Sequence, residues 1–584
     1  MHINGITLMI VSIIVLGAGY LLYGRWLART WGIDEKAPTP AYTEEDGVDY
    51  VPADRPVVFG HQFASIAGAG PINGPIQAAI FGWVPVLLWI LIGGVFFGAV
   101  QDFSSMYASV KSKGKGIGTI IETYIGRTGK KLFLLFCWLL CILVVAAFAD
   151  IVAGTFNGFA AAADGSIHTV EANGAVATTS LCFIAEAVGL GFLLRYGKLN
   201  KWVNTAIAIG LLVFAVWFGL SFPVYIDQQT WHWIIFAYIF IACVVPVWAL
   251  LQPRDYLNSY LLIFMIAGAV IGVFVSNPDV NLAAFSGFTV NGQMLFPILF
   301  VTIACGAVSG FHSLVSSGTA SKQIKNEKDM LPVSYGAMIM ESMLAVIALI
   351  AVASFADGEA AQAGLITQPQ IFAGAIANFL QSINLPWTLT FTLINLAVSA
   401  FALTSLDSVA RIGRLSFQEF FLDEDTDPKT LSPLMQLLTN SYFATALTLV
   451  LAMCLARIGY NEIWPLFGSA NQLLSVLALI ACAVFLKKTQ RKSKMLYIPM
   501  VFMMLVTFTA LGLSIYGLMG QLFAGTLTLG LGLQLLFAIL LLALGVVVAI
   551  QGIGALAGKP QNVSSAQASV PAESRFEEAE LDEA

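Results

Sequence analysis

Seven ionisable side chains fall within stretches apolar enough to span a bilayer: His61, Asp102, Asp150, Glu186, His312, Glu341 and Asp407. A charge at the bilayer centre costs roughly 2.5–3.5 kcal/mol or more, so residues of this kind mark functional sites by default. At the helical rise, His61 lies about 6 Å and His312 about 9 Å from the cytoplasmic ends of their spans. Asp102, Glu186 and Glu341 lie roughly 10–12 Å from theirs by the same rise. Asp150 falls in the outer half. Imidazole titrates near physiological pH, so His61 and His312 suit proton sensing or substrate contact. Asp102, Glu186 and Glu341 suit either a proton or cation role or a structural pairing. Asp407 stands one turn before Arg411, the spacing of an i,i+4 pair, and reads as a helix-end salt bridge.

These residues need elements to hold them, and the first is unusual. Val57 to Ala79, VVFGHQFASIAGAGPINGPIQAA, is apolar but carries Gly60, Gly68, Gly70, Gly74, Pro71 and Pro75, with Gly82 just beyond. Glycine costs roughly 1 kcal/mol and proline roughly 3 kcal/mol inside a helix. Lipid cannot satisfy the backbone groups they free, so the segment must sit in protein or line a wet cavity. A span broken by Gly and Pro and bearing His61, Gln62, Ser65 and Asn73 is the sequence pointer to a carrier's binding site. The alternative is a kinked span, or a cytoplasmic loop before a short helix.

The second stretch is Cys305 to Lys322, CGAVSGFHSLVSSGTASK. Ser309, Ser313 and Ser316/Ser317 recur at helical spacing and so line one face. Hydroxyls with unwound carbonyls are the oxygen ligands of a Na⁺ site. Each serine alone reads equally as a small packing residue bonded to the preceding turn. In Trp464 to Gln472, WPLFGSANQ, Asn471 and Gln472 read as hydrogen bonds across helices. Leu250 to Asn258, LLQPRDYLN, follows Pro246 and reads as the end of a kinked span entering an inner loop, with Arg254 and Asp255 interfacial. Lys111 to Gly118, KSKGKGIG, lacks the order of a phosphate loop and reads as a basic inner loop. No nucleophile–base motif is present, which argues against an enzyme.

Hydrophobic residues make up 58% of the 584 residues and charged ones only 11%, with a mean hydropathy of +0.83. Soluble domains run near 45–50% apolar and about 25% charged, so the chain is an all-α polytopic membrane protein. The seven cysteines lie in apolar runs with no CxxC pair and read as small buried hydrophobes rather than disulfides or a metal site. No basic tract suggests nucleic acid. The N-terminus lacks the basic region of a cleavable signal peptide. At roughly 20 residues per span, about 15 helices are expected. They fall near 5–27, 57–82, 84–110, 131–158, 176–194, 202–222, 233–251, 256–276, 294–318, 334–354, 388–410, 436–456, 463–486, 495–518 and 525–550. With the N-terminus outside, all of the 28 basic residues except Arg457 fall on the cytoplasmic side, as the positive-inside rule requires. The stretch from Gln370 to Leu385 is too short to span and reads as an outer re-entrant or interfacial helix. The chain divides into 1–56 (first helix and loop), 57–410 (core), 411–558 (C-terminal helices) and 559–584 (a disordered acidic tail in the cytoplasm).

Taken together, VVFGHQFASIAGAGPINGPIQAA (57–79), GAVQDF (98–103), PRDYLN (253–258), CGAVSGFHSLVSSGTASKQI (305–324), LTSLDSVARIGR (403–414) and WPLFGSANQ (464–472) resemble the carbon starvation protein A (CstA) family. The resemblance runs from about residue 57 to about 490 and is less specific beyond. It implies a bacterial plasma-membrane uptake carrier used when carbon runs short, for peptides in some members and pyruvate with protons in others. It implies a LeuT/APC-like core of five plus five inverted helices, with extra helices. On that core, span 57–82 is helix one, 233–251 helix six, kinked at Pro246, and 294–318 helix eight.

The expected substrate site is then His61, Gln62, Ser65, Gly68, Ala69, Gly70, Asn73 and His312. The expected ion-coupling residues are Asp102, Glu186, Ser309, Ser313, Ser316, Ser317 and Glu341, for H⁺ or Na⁺, with no cofactor and no metal. The expected partners are the lipid bilayer and a small carboxylate or peptide. A passive channel or a nutrient sensor is the rival reading, though the inner loops are short for a sensor. The sequence is silent on oligomeric state.

Overall fold

A computed structural model describes residues 3–46, 49–161, 167–196, 200–245, 250–356, 358–362, 365, 367–422 and 432–558. The Pro246 kink and the acidic tail expected after 558 lie outside them. The described residues are mostly helical, with two small two-stranded hairpins at Phe159–Ala161 with Ile167–Thr169 and Thr289–Val290 with Gln293–Met294.

In chain order the helices are α1 (Gly5–Trp31), α2 (Arg55–Ile66), α3 (Gly70–Ala78), α4 (Trp83–Lys111), α5 (Ile117–Tyr124), α6 (Arg127–Phe156), α7 (Glu171–Tyr196), α8 (Lys201–Ser221), α9 (Gln228–Val244) and α10 (Leu251–Ser276). They continue as α11 (Leu295–Thr302), α12 (Gly310–Gly318), α13 (Glu327–Ala353), α14 (Gln368–Gln381), α15 (Trp387–Phe421), α16 (Ser441–Ala456), α17 (Tyr460–Lys488), α18 (Lys494–Phe523) and α19 (Leu529–Ala557). Ten of these are long and apolar enough to cross a membrane among the described residues. The chain is a multi-pass membrane protein. The other five expected stretches hold α9, α10, α16 and two broken pairs.

The first pair is α2 and α3, and its break is where Gly and Pro predict it. Ala67 leaves helical geometry at φ −77°, ψ 55°, and Pro71 sits in the first turn of α3, where a missing N–H is harmless. Gly82, at φ +96°, turns the chain into α4 against the backbone of Ala283 to Phe285, where any Cβ would clash at 2.8 Å. The second pair is a correction. Residues 294–318 were expected as one continuous span, but α11 stops at Thr302 and α12 starts only at Gly310. The two breaks touch: a Cβ on Gly70 would stand 2.5 Å from Cys305 Sγ, and one on Gly74 2.6 Å from the Thr302 carbonyl. α3 packs on α11, and α2 packs on α12.

The long α6 and α15 lie against each other behind the breaks, and α17 packs on α6, α11 and α12. Two local expectations change here. Arg254 is not interfacial: it is 2% exposed in the first turns of α10, and its guanidinium donates to Asp407. Asp407 therefore pairs across helices rather than with Arg411. Arg411 instead donates to the Ala242 (2.5 Å) and Val245 (2.7 Å) carbonyls, which the end of α9 leaves without helical partners. Tyr238 also donates to Asp407, at 3.0 Å. The stretch after Gln368 forms α14, capped by a reciprocal Thr367–Gln370 box.

Candidate functional site

A small cavity of about 20 Å³, room for about one water, sits where the two breaks meet. Ser65, Ile66, Gly68 and Gly70 line it from the first broken pair, and Cys305 and Phe311 from the second. Val144 and Phe148 of α6, Ser405 and Val409 of α15, and Phe467 and Asn471 of α17 complete it. Such a lining, apolar with a few polar groups, is the usual make-up of a small-molecule site. Gly68 is required because a Cβ there would stand 2.6 Å from Ser405 Oγ. Ser405 Oγ is buried and has no hydrogen-bond partner among the described residues.

The second break is held open by α17. Asn471 Oδ1 accepts from the Phe311 N–H at 3.0 Å, and its Nδ2 donates to Ser309 Oγ at 3.0 Å. Trp464 Nε1 donates to the Thr302 carbonyl at 3.1 Å, and Gln472 Nε2 to the Phe300 carbonyl at 2.6 Å. The backbone groups released by ending α11 and starting α12 thus find side-chain partners, as a break inside a membrane demands. Gln101 of α4 adds a donor to the Ser309 carbonyl at 2.6 Å.

One turn into α12 is an ionisable cluster. His312 Nδ1 lies 3.1 Å from Asp102 Oδ2 of α4, and Nε2 lies 3.2 Å from Glu341 Oε2 of α13. All three side chains are at most 1% exposed. Asp102 Oδ1 and both Glu341 oxygens have no hydrogen-bond partner among the described residues. An imidazole bridging two buried carboxylates is a unit that must exchange or share a cation, because an uncompensated buried charge is costly.

The structure distributes the other expected residues. Ser65, Gly68 and Gly70 line the cavity. His61 and Gln62 instead tie α2 to α12, through Thr319 Oγ1 at 3.1 Å and Ser316 Oγ at 2.7 Å. Ala69 is buried at the break, and Asn73 is buried on α3 with neither amide atom hydrogen-bonded in the protein. Ser313 and Ser317 donate to the Gly310 and Ser313 carbonyls of their own helix, each at 2.6 Å. Ser316 Oγ accepts from Gln62, and Ser309 Oγ accepts from Asn471 Nδ2. The serines therefore do not present one face to a common point. Glu186, on α7, receives the Cys182 thiol at 3.6 Å. That helix packs on α6, α8, α10 and α15, away from the elements that carry the cluster. Asp150 accepts from Gln228 Nε2 (2.8 Å) and the Tyr460 N–H (2.7 Å) and lies 2.7 Å from His232 Nε2, joining α6, α9 and α17.

The wall residues Val144 and Phe148 carried no sequence signal, since nothing local distinguishes them from other apolar helix residues; Ser405 and Phe467 lie in stretches that carry the family resemblance but were not read as lining the site. Asn471 did carry one, as an amide in a buried span, and its cross-helix bonds are those expected.

The model of the family "Carbon starvation protein CstA" matches residues 4–368 and 357–510. A relative named peptide transporter CstA, from Escherichia coli K12, is 31% identical over 87% of this chain and 81% of its own. The peptide transporter CstA of Bacillus subtilis 168 is 32% identical, over 84% and 87%. The pyruvate/proton symporter BtsT of Escherichia coli K12 is 30% identical, over 88% and 82%. A crystal structure of a manganese transporter variant from Eremococcus coleocola overlaps 85% of this chain and 94% of its own, at 13% identity and a TM-score of 0.47. With the family model covering most of the chain and relatives matched across most of their length, this protein belongs to the carbon starvation protein CstA family.

Proposed function

We propose that the chain is a secondary active importer of a small carboxylate carbon source, coupled to a cation and used when carbon is short. The observation that carries this reading is the cavity enclosed by two touching helix breaks. Half-helix N-termini expose N–H groups toward a carboxylate. The N-terminus of α3 at Ala69–Gly70, with Ser405 Oγ beside it, is the proposed carboxylate site. The relatives' names, one a pyruvate/proton symporter and others peptide transporters, agree with a carrier of either. For the cation we favour H⁺. The serine hydroxyls are spent on backbone and Gln62, whereas Asp102, His312 and Glu341 form a unit suited to protons.

The proposed architecture is a five-plus-five inverted repeat. The first set is α2/α3, α4, α6, α9 and α10, and the second is α11/α12, α13, α15, α16 and α17. Each set begins with a broken pair. The pairings correspond: α13 packs on α3 as α4 packs on α12, α16 on α15 as α9 on α6, and α17 on α6 as α10 on α15. Short helices α5 and α14 occupy matching places between the second and third members of each set. In this arrangement 294–318 is helix six rather than helix eight, and α15 takes the eighth place. The helix pair α7–α8 is an insertion, and all fifteen spans cross, with the N-terminus outside and the C-terminus in the cytoplasm.

Uptake in liposomes tests the reading. Labelled pyruvate, lactate, amino acids and dipeptides are compared under separately imposed pH and Na⁺ gradients. Accumulation of a small carboxylate driven by the pH gradient is expected. Equilibration without accumulation under either gradient would refute active import.

A further inference from the structure

Cys305, His312 and Glu341 each bring one ligand atom within 4.8 Å of the other two, and all three are buried. Cys305 lies in the second helix break, His312 one turn into α12, and Glu341 on α13. The cluster offers a thiol, an imidazole and a carboxylate from three separate stretches of backbone.

The imidazole is already oriented. With Nδ1 directed at Asp102 at 3.1 Å, Nε2 is the remaining position, and it faces Glu341 Oε2 at 3.2 Å. If Nδ1 carries the ring proton, Nε2 and the carboxylate are two acceptors facing each other. Such a pair repels unless a cation sits between the two or beside them. Both Glu341 oxygens are without a hydrogen-bond partner among the described residues, and the residue is fully buried.

We propose that Cys305, His312 and Glu341 form a binding site for a zinc-class divalent cation that ties the helix break to α13. Zinc takes thiolate, imidazole and carboxylate at about 2.0–2.3 Å, which sets ligand atoms about 3–4 Å apart in a tetrahedron. Side-chain adjustment alone closes the present spacing to that range. Hard cations such as Mg²⁺ and Ca²⁺ want oxygen cages, so the thiol and imidazole select against them. Asp102 behind Nδ1 is the outer carboxylate that usually accompanies a metal-bound histidine and orients its ring. Cys305 also lines the small cavity between the breaks. An ion held here fixes the stretch from Ile303 to His312 against α13, and so stops the break from rearranging.

The site shares His312 with the proposed coupling cluster, but its test needs neither substrate nor gradient, so its failure would leave the importer reading untouched. The purified protein in detergent is titrated with Co²⁺. A near-ultraviolet thiolate-to-cobalt band is expected at one Co²⁺ per chain and is displaced by Zn²⁺. Cys305→Ser should abolish the band. Glu341→Gln, which keeps the sulfur, should retain it with affinity weakened about tenfold or more. Zn²⁺ should slow amide exchange across residues 303–312. A wild-type protein without the band overturns the site, as does a band undiminished in Cys305→Ser, unchanged affinity in Glu341→Gln, or exchange at 303–312 that Zn²⁺ does not alter.

Discussion

At the scale of single residues, buried charge decides most. Arg254 and Asp407 are 2% and 0% exposed by side chain, and Tyr238 and Thr404 complete their surroundings. Removing one partner of such a pair strands the other, at about 3–5 kcal/mol, while replacing both with apolar side chains is often neutral. Asp407→Asn should therefore lower the unfolding midpoint in detergent far more than the double change Arg254→Met with Asp407→Leu. Equal losses would show that the pair is not the source. His312 carries a different expectation. In the proposed coupling, net proton movement runs through the Asp102–His312–Glu341 unit, whereas exchange of labelled for unlabelled substrate does not need it. His312→Gln should abolish pH-driven accumulation and leave counterflow within a few-fold of wild type. Loss of both would assign His312 to substrate contact instead. The depth estimate from helical rise placed His312, Asp102 and Glu341 at similar levels in the membrane, and this much was legible. That one imidazole joins both carboxylates was not, because it depends on three helices far apart in sequence.

At the scale of elements, glycine and proline were readable where they interrupt, and silent where they merely admit a neighbour. The break after Ile66 follows from Gly68, Gly70 and Pro71, whose costs in a helix add up locally. The break after Thr302 has no proline within it, only Gly306 and Gly310, and it is held by Trp464, Asn471 and Gln472 of α17; the cross-helix bonding of the two amides was legible, but its partners were not. The serine periodicity across it was read as one continuous face, but an interrupted helix has no continuous face. Glycines at close crossings give a direct test. A Cβ on Gly74 would meet the Thr302 carbonyl at 2.6 Å, and one on Gly468 the Val301 carbonyl at 2.1 Å. Backbone cannot step aside as a side chain can, so Gly74→Ala and Gly468→Ala should each cost about 1–3 kcal/mol. Gly60 of α2 has open space around it, so Gly60→Ala should be neutral or stabilise by about 0.5–1 kcal/mol. Thermal unfolding of the three variants checks the order, and a destabilised Gly60→Ala would contradict it.

At the scale of the whole molecule, the two broken helices are not equally covered along their length. Toward the α3 side of the first break, Gly70 to Ile76 are all buried. Toward the α2 side, Val57, Gly60 and His61 are exposed, as is Thr319 at the end of α12, and Ala64 and Ser65 are partly so. The cavity is therefore sealed along α3 and approached along α2. On the proposed topology the α2 side faces the cytoplasm, since Arg25, Arg29, Lys36 and Arg55 precede it and Lys322, Lys325 and Lys328 follow α12. Inner-loop contacts bind that side together: Lys111 meets Glu327 at 2.5 Å, and Lys325 meets Asp54 at 2.7 Å. If both readings hold, the structure is the inward-accessible state of a carrier. A cysteine placed at position 61 should then react with an impermeant thiol reagent only from the cytoplasmic face. Cys454 is exposed and must first be replaced by serine. In inside-out vesicles His61→Cys should label rapidly and saturating substrate should slow it, because a loaded carrier leaves this state. In right-side-out vesicles it should resist. Labelling from the outside alone would invert the topology, and equal labelling from both sides would indicate an open pore rather than a carrier that exposes one face at a time.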